Sequence, residues 1–325
     1  MSALANIWRN IPWEDFSDPA LRTTAVGLQA RLVDLGLLDP IVSGSAAKAF
    51  GPVAKADGIV GTNTRNAFEE FCRLTGHTFN DKFATTDQLR RLGMAQPVTF
   101  LPVTVAHQPG EPTSVRFAKR VLRYMHRKGY WIARSPNMYN IIYIEGVNAD
   151  GRPNADRFDE WNDRRLVIRI KQPGGQPEMV VNDQATTEPG RYYTQYPLNT
   201  NGAARIAFGQ YKAWRVGLHS GWQPALVQRG LVRLHRDKNK NGFRDNADPI
   251  DIGDDFGINH HSTEPNFSSA SIGRYSAGCL VGMRYEWHLK FLDIVKRDVR
   301  YLGNRNYMFM TAVIPGDDLA KTEPI

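Results

Sequence analysis

The stretch "GINHHSTEPNFSSASIGRYSAGCLVG", residues 257–282, sets one of the two cysteines of the chain behind a pair of histidines. Cys279 follows His261 by eighteen positions, room for one strand and a loop that doubles back. A thiol nucleophile needs a base for its proton and donors for the oxyanion of a tetrahedral intermediate. His261 is the candidate base, and Ser262 or a backbone carbonyl would orient its other ring nitrogen and fix the tautomer. Ser276, Ala277 and Gly278 place only small groups around the sulfur, and a glycine lets a carbonyl substrate approach closely. Ser276 and Gly278 shape the cysteine turn, with the amides of Gly278 and Cys279 as oxyanion candidates. His260 is ambiguous, either supporting the site from the substrate side or simply exposed. These residue types suit acyl transfer through a thioester. A structural thiol is the competing reading, since one Cys near one His is more often packing than chemistry.

Outward from this stretch the chain reads as strands. "YNIIYIEGV" (139–147), "LVIRI" (166–170) and "EMVVN" (178–182) are β-rich, and the last two flank the hairpin signal "KQPGGQP". "PALVQRGLVRLHRD" (224–237) continues the alternation, "YEWHLKFLDIVKRDVRYL" from Tyr285 reads as helix, and "YMFMTAVI" (307–314) as a closing strand. The expectation is a mostly antiparallel β domain with a few helices, an α+β fold.

Between two of these strands, "DKNKNGFRDNAD" (237–248) has oxygen-bearing side chains at alternate positions and a glycine at the sixth. Asp237, Asn239, Asn241, Asp245 and Asp248, with the carbonyl of Phe243, match an EF-hand-type loop, so structural calcium is expected there. The competing reading is a polar turn, because no flanking helices are evident and position twelve is Asp rather than Glu.

Nearer the start, "LRTTAVGLQARLVDLG" (21–36) carries Leu21, Ala25, Leu28, Leu32 and Leu35 on one helical stripe, closed by Gly36. In "DGIVGTNTRNAFEEFCRLTG" (57–76), Asp57-Gly58 signals a turn and Thr62 can cap a helix that turns Ala67, Phe68, Phe71 and Cys72 inward, ending at Gly76. Residues 1–79 are therefore a small helical unit, the Pro-rich 80–112 a linker, and 113–325 the β domain. The basic segment "SVRFAKRVLRYMHRKG" (114–129) has the pattern of an amphipathic helix with a solvated basic face.

The 325 residues are 42% hydrophobic and 23% charged, ordinary for a chain with two cores. No apolar run approaches the ~20 residues of a membrane span. The net charge of +8 favours polyanionic partners, and no aromatic-basic signature singles out nucleic acid among them. The opening "MSALANIWRNIPWEDF" lacks the pattern of a Sec signal peptide, so synthesis in the cytoplasm and delivery by a non-Sec route are expected.

Two resemblances sharpen this. "LQARLVDLGLL" followed by Asp57, Gly58, Gly61, Thr64, Ala67 and Phe71 resembles a peptidoglycan-binding module, which implies wall contact through Asp57, Gly58, Gly61 and Thr64. "HST" (261–263) followed by "SAGC" (276–279), with "ATTEPGRYY" (185–193) as a threonine-proline-glycine segment before a strand, resembles the L,D-transpeptidase catalytic domain. That implies Cys279 as nucleophile, His261 as base, no catalytic cofactor, and peptidoglycan stem peptides as substrate. The family has a histidine where this chain has Ala277, and Arg or Asn where it has Val281. Tyr275, Arg274 or Arg284 would substitute in holding the peptide stem. Alternatives are a zinc peptidase using His219, His235, His260, His261 and His288, or a non-catalytic wall-binding protein. A phage lysis enzyme or an injected effector would fit the missing leader.

Overall fold

The computed structural model describes residues 4, 7, 9–40, 56–95, 110–171 and 175–325. The connection 41–55, most of the Pro-rich run and the centre of "KQPGGQP" lie outside the described residues.

The first core is helical. Strand β1 (Ile11–Pro12), helix α1 (Arg22–Asp34), helix α2 (Thr62–Leu74), strand β2 (Phe83–Ala84) and helix α3 (Thr86–Met94) follow in chain order. The stripe Ala25, Leu28, Leu32 and Leu35 is buried against Ala67, Phe68, Phe71 and Cys72 of α2. Gly36 takes a positive φ of 72°, the conformation in which a glycine commonly ends a helix. Thr62 is not the cap of α2: Gly61 stands at that position and no side chain caps it.

The linker boundary also needs correction. Residues 83–94 are a strand and a helix of this same core, with Ala84, Leu89 and Leu92 fully buried in it. β2 pairs antiparallel with β1, and Thr85 opens α3 with a reciprocal capping box to Gln88. The polar character of 80–90 conceals a short amphipathic helix.

The second unit begins with α4 (Thr113–Arg127), then β3 (Asn140–Glu145), β4 (Asp163–Ile170), β5 (Pro177–Thr186), α5 (Arg191–Gln195), β6 (Ala203–Ile206), β7 (Gly209–His219), β8 (Gln223–Gln228), β9 (Val232–Asp237), β10 (Ile250–Gly253), β11 (His260–Ser262), β12 (Leu280–Gly282), α6 (Tyr285–Val295), α7 (Val299–Gly303), β13 (Phe309–Pro315) and α8 (Gly316–Thr322). Eight strands close a barrel in the order β11-β12-β5-β4-β3-β13-β7-β8, and β10-β9-β6 form a separate three-stranded sheet. The unit is α+β and mostly antiparallel, with parallel pairs only at β11–β12 and β13–β3 among the described strands.

The run 224–237 is two strands in two sheets, split at Arg229-Gly230. The segment after Pro189-Gly190 enters the short helix α5 before any strand.

The basic helix α4 departs from its expected solvated face. Lys119 and Arg120 are buried beside Val121, Leu122 and Met125. Lys119 pairs with buried Glu111, while Arg120 donates to the carbonyl of Glu323, and Arg123 and Arg127 hold the carboxylate of Glu323. Part of the basic charge is thus spent on fastening the C-terminal segment.

Helical unit and barrel meet at Asp39. Burial alone would raise its pKa, but Lys212 at 3.1 Å and Arg300 at 2.8 Å outweigh that and hold it at about 2. Trp131 Nε1 donates to Val33 O and Arg134 N to Gly36 O across the same seam.

Lys119→Met leaves a buried carboxylate without its lysine, and removing one partner of a buried pair costs about 3–5 kcal/mol. Urea denaturation followed by circular dichroism should show that loss, and adding Glu111→Leu should return most of it. A single-variant loss below about 1 kcal/mol would contradict the assigned pairing.

Candidate active site

The two halves of the opening stretch come together through a ladder of three residue pairs. β11 and β12 run parallel with His260 opposite Leu280, His261 opposite Val281 and Ser262 opposite Gly282. Neighbouring residues of a strand face opposite ways, so His260 and His261 part company. His261 turns toward Cys279, just ahead of β12, while His260 enters the barrel.

Cys279 Sγ and one nitrogen each of His261 and His219 lie within 4.8 Å of one another. His261 Nδ1 is 2.9 Å from the backbone oxygen of Ser262 and must donate to it, leaving the lone pair on Nε2. The orienting group is this carbonyl, since the Ser262 hydroxyl donates to Thr263 O and accepts from Gln223. The resting thiol donates to Gly257 O at 3.3 Å and accepts from Asn259 N at 3.5 Å. A turn about the Cys279 side chain toward His261 is therefore part of any proton transfer.

Both groups rest uncharged. Burial pushes the Cys279 thiol up to about 11, against a smaller downward pull from the Asn259 amide. Burial, helped by His219, brings His261 down to about 3. A pair like this moves its proton as the sulfur attacks rather than beforehand.

The cysteine turn is built by the small residues around it. Gly278 has φ 123°, and a Cβ there would stand 2.4 Å from Ala204 O. Ser276 Oγ donates to Cys279 O at 3.0 Å and accepts the Gly278 N–H at 3.1 Å. This corrects one expectation: the Gly278 amide is already spent and is no oxyanion donor in this conformation.

The other expected residues scatter. His260 is fully buried, packed on Trp214 at 4.6 Å and edge-on to Tyr143 at 5.2 Å, so it is neither exposed nor on the substrate side. Tyr275 joins the apolar cluster around Cys279 and Val281, but its hydroxyl donates to Glu264 at 2.6 Å. Arg274 lies over the Tyr192 ring at 3.8 Å, and Arg284 donates to Phe267 O at 2.6 Å.

In the helical unit, Asp57 and Thr64 bond to the side chain of Gln29, and the Gly58 amide donates to that same side chain. These contacts fasten the loop, and Thr64 is buried rather than turned outward. Asp57, Gly61 and Thr64 also border a cleft of about 1120 Å³ shared with Lys212, Arg300 and Tyr307 of the barrel unit.

The 237–248 loop joins β9 to β10 and closes through its own side chains. Asp237 accepts the Asn241 and Gly242 amides, Asp245 accepts the carboxamides of Asn239 and Asn241, and Asp248 accepts the Asp245 amide. Phe243 N donates to Asn241 Oδ1. Arg244 reaches from the loop to Glu145 of β3, tying the loop to the barrel.

Of the histidines grouped for zinc, only His219 and His261 meet. His288 sits in the core between Arg165 and Pro224 O, and His235 lies on β9 near Asp248. His219 and Asn259 had no place in the acyl-transfer reading of the sequence. The signal for His219 was its position beside Ser220-Gly221, a hairpin tip that returns β7 into β8 next to β11.

No protein-family model matches this sequence, and no curated protein does. Among solved structures it is similar to a fused Zn-dependent amidase/peptidase/peptidoglycan-binding-domain protein from Clostridium acetobutylicum, at 11% identity and TM-score 0.28, covering 94% of this chain and 96% of that one. It is also similar to an L,D-transpeptidase from Xylanimonas cellulosilytica, at 12% identity and TM-score 0.18, with the same coverage of 94% and 96%. At so loose an overlap neither likeness bears on the chemistry of the site.

With the thiol held near 11, iodoacetamide should alkylate Cys279 slowly at neutral pH and steadily faster as pH rises toward about 10. Mass spectrometry of the labelled peptide reads the rate. A plateau reached below about pH 8 would show a preformed thiolate and contradict the neutral resting pair.

Proposed function

We propose that the chain is a cysteine acyl-transfer enzyme acting on peptidoglycan stem peptides. The observation that carries the chemistry is His261: its Nδ1–H is fixed on Ser262 O, its other ring nitrogen keeps a lone pair, and a nitrogen of the ring lies within 4.8 Å of the thiol sulfur. Cys279 attacks the carbonyl of a meso-diaminopimelate or similar L-centre while His261 takes the thiol proton. The intermediate collapses to a thioester, and the departing amine leaves with that proton. Water as the second acceptor makes the enzyme a carboxypeptidase or endopeptidase, and an amine makes it a transpeptidase.

The wall target is supported by the two sequence resemblances and by a basic chain suited to anionic wall polymers. No helix among the described residues is long and apolar enough to cross a membrane.

Purified muropeptides incubated with the intact protein should change mass: loss of one amino acid, an exchange, or an opened cross-link each names an activity. Cys279→Ala should leave the spectrum as in untreated controls. His261→Ala should slow the change by about 10²–10⁴, the usual contribution of a positioned base. Processing that survives in Cys279→Ala removes the sulfur from the mechanism.

A further inference from the structure

An acyl-transfer site aims hydrogen-bond donors at the oxygen on which charge develops. Two backbone amides flank the sulfur, and Ser276 already holds that of Gly278. Among the described residues nothing accepts from the Cys279 N–H. One donor is therefore in place where such sites ordinarily converge two.

His219 lies beside the sulfur. Its ring stacks on His261 with centroids 3.9 Å apart and planes 4° from parallel, and one of its nitrogens is within 4.8 Å of Cys279 Sγ. Its Nδ1 stands 3.0 Å from Asn259 Nδ2. That carboxamide cannot be turned around, because its Oδ1 accepts the Gln228 amide at 2.9 Å. Gln228 is anchored in turn, its Oε1 accepting Ile258 N and its Nε2 donating to the carbonyls of Gly230 and Gly253. A neutral imidazole whose Nδ1 accepts must carry its proton on Nε2.

We infer that His219 is the second oxyanion donor: its Nε2–H and the Cys279 amide together bind the carbonyl oxygen of the acyl group in transfer. Asn259 is the positioning residue that sets the tautomer. The assignment rests on Cys279 being an acyl-transfer nucleophile, as proposed above.

As the Sγ–C bond forms, the thiol proton passes to His261 Nε2 and the carbonyl π pair moves onto the oxygen. That oxygen accepts from His219 Nε2–H without taking the proton. Collapse restores the C=O, breaks the bond to the leaving group and returns the His261 proton to it. The stacked rings have opposite tasks, a lone pair on His261 and an N–H on His219. Burial keeps His219 below the usual imidazole range, which suits a neutral donor. A cation stacked on His261 would oppose its protonation. The same tautomer withholds the His219 lone pair from a metal ion, so His219, His261 and Cys279 are not preset as a zinc site.

Two small probes separate this role from simple packing. p-Nitrophenyl acetate acylates sulfur through a carbonyl, whereas iodoacetamide alkylates it by displacement at a saturated carbon, with no oxyanion. On the full chain, His219→Ala should slow acylation of Cys279 by about 10²-fold and change alkylation by less than about threefold. His219→Gln, which keeps an N–H donor, should recover about tenfold of the lost acylation rate. Wild-type acylation in His219→Ala overturns the inference, as does an equal loss with both probes or a glutamine variant no better than alanine. Alkylation of the wild-type Cys279 with no acylation overturns it too. The expected pattern in a protein that leaves muropeptides untouched would keep His219 as the donor and sink only the wall substrate.

Discussion

The parallel pairing of β11 with β12 is the constraint on which the site depends. Three residue pairs carry it, and they bring position 261 beside position 279 across a seventeen-residue connection. A parallel neighbour cannot be reached by a tight hairpin, so the chain between must leave the sheet and return. It does so through residues that become the wall of the site: Phe267, Ile272 and Tyr275 cluster with Cys279 and Val281. On the other side β11 touches β8, the partner of β7, so the β7–β8 hairpin brings in His219. Loss of this short ladder would separate Cys279, His261 and His219 at once.

Burial gives the site its electrical character. Thiol and imidazole are both pushed toward their uncharged forms, and the nearest polar partners of the sulfur are a carbonyl and an amide of the backbone. No cation among the described residues is bonded to the sulfur to hold a thiolate at rest. In the proposed mechanism charge therefore appears only during attack, in a poorly screened place where oriented donors act strongly. A resting thiol of this kind is also protected from adventitious oxidation, which follows thiolate character and exposure.

What the sequence made legible follows from local chemistry. Helical stripes announced α1 and α2 because their apolar residues recur at helical spacing and Gly36 and Gly76 end them at positive φ. The β-rich runs announced β3, β4, β5 and β13 because alternation and branching leave little else for them to do. What stayed hidden depends on contacts that only the folded chain makes. Lys119 and Arg120 look solvated until Glu111, Gly151 and Glu323 fold over them. His260 looks like a companion of His261 until strand alternation sends it among Trp214, Tyr143 and Phe291. The Gly278 amide looks available until Ser276 claims it, and His219 lies sixty residues from Cys279 with no motif joining them.

A covalent intermediate on sulfur is the centre of the account, and trapping it is the direct measurement. The protein is mixed with muropeptides, quenched in acid within the first turnover, digested, and mapped by tandem mass spectrometry. The account predicts a stem-peptide acyl mass on the peptide containing Cys279, labile to hydroxylamine and strongly diminished in His261→Ala. Turnover that leaves Cys279 unmodified at every quench time, or an acyl group on another residue, would contradict it.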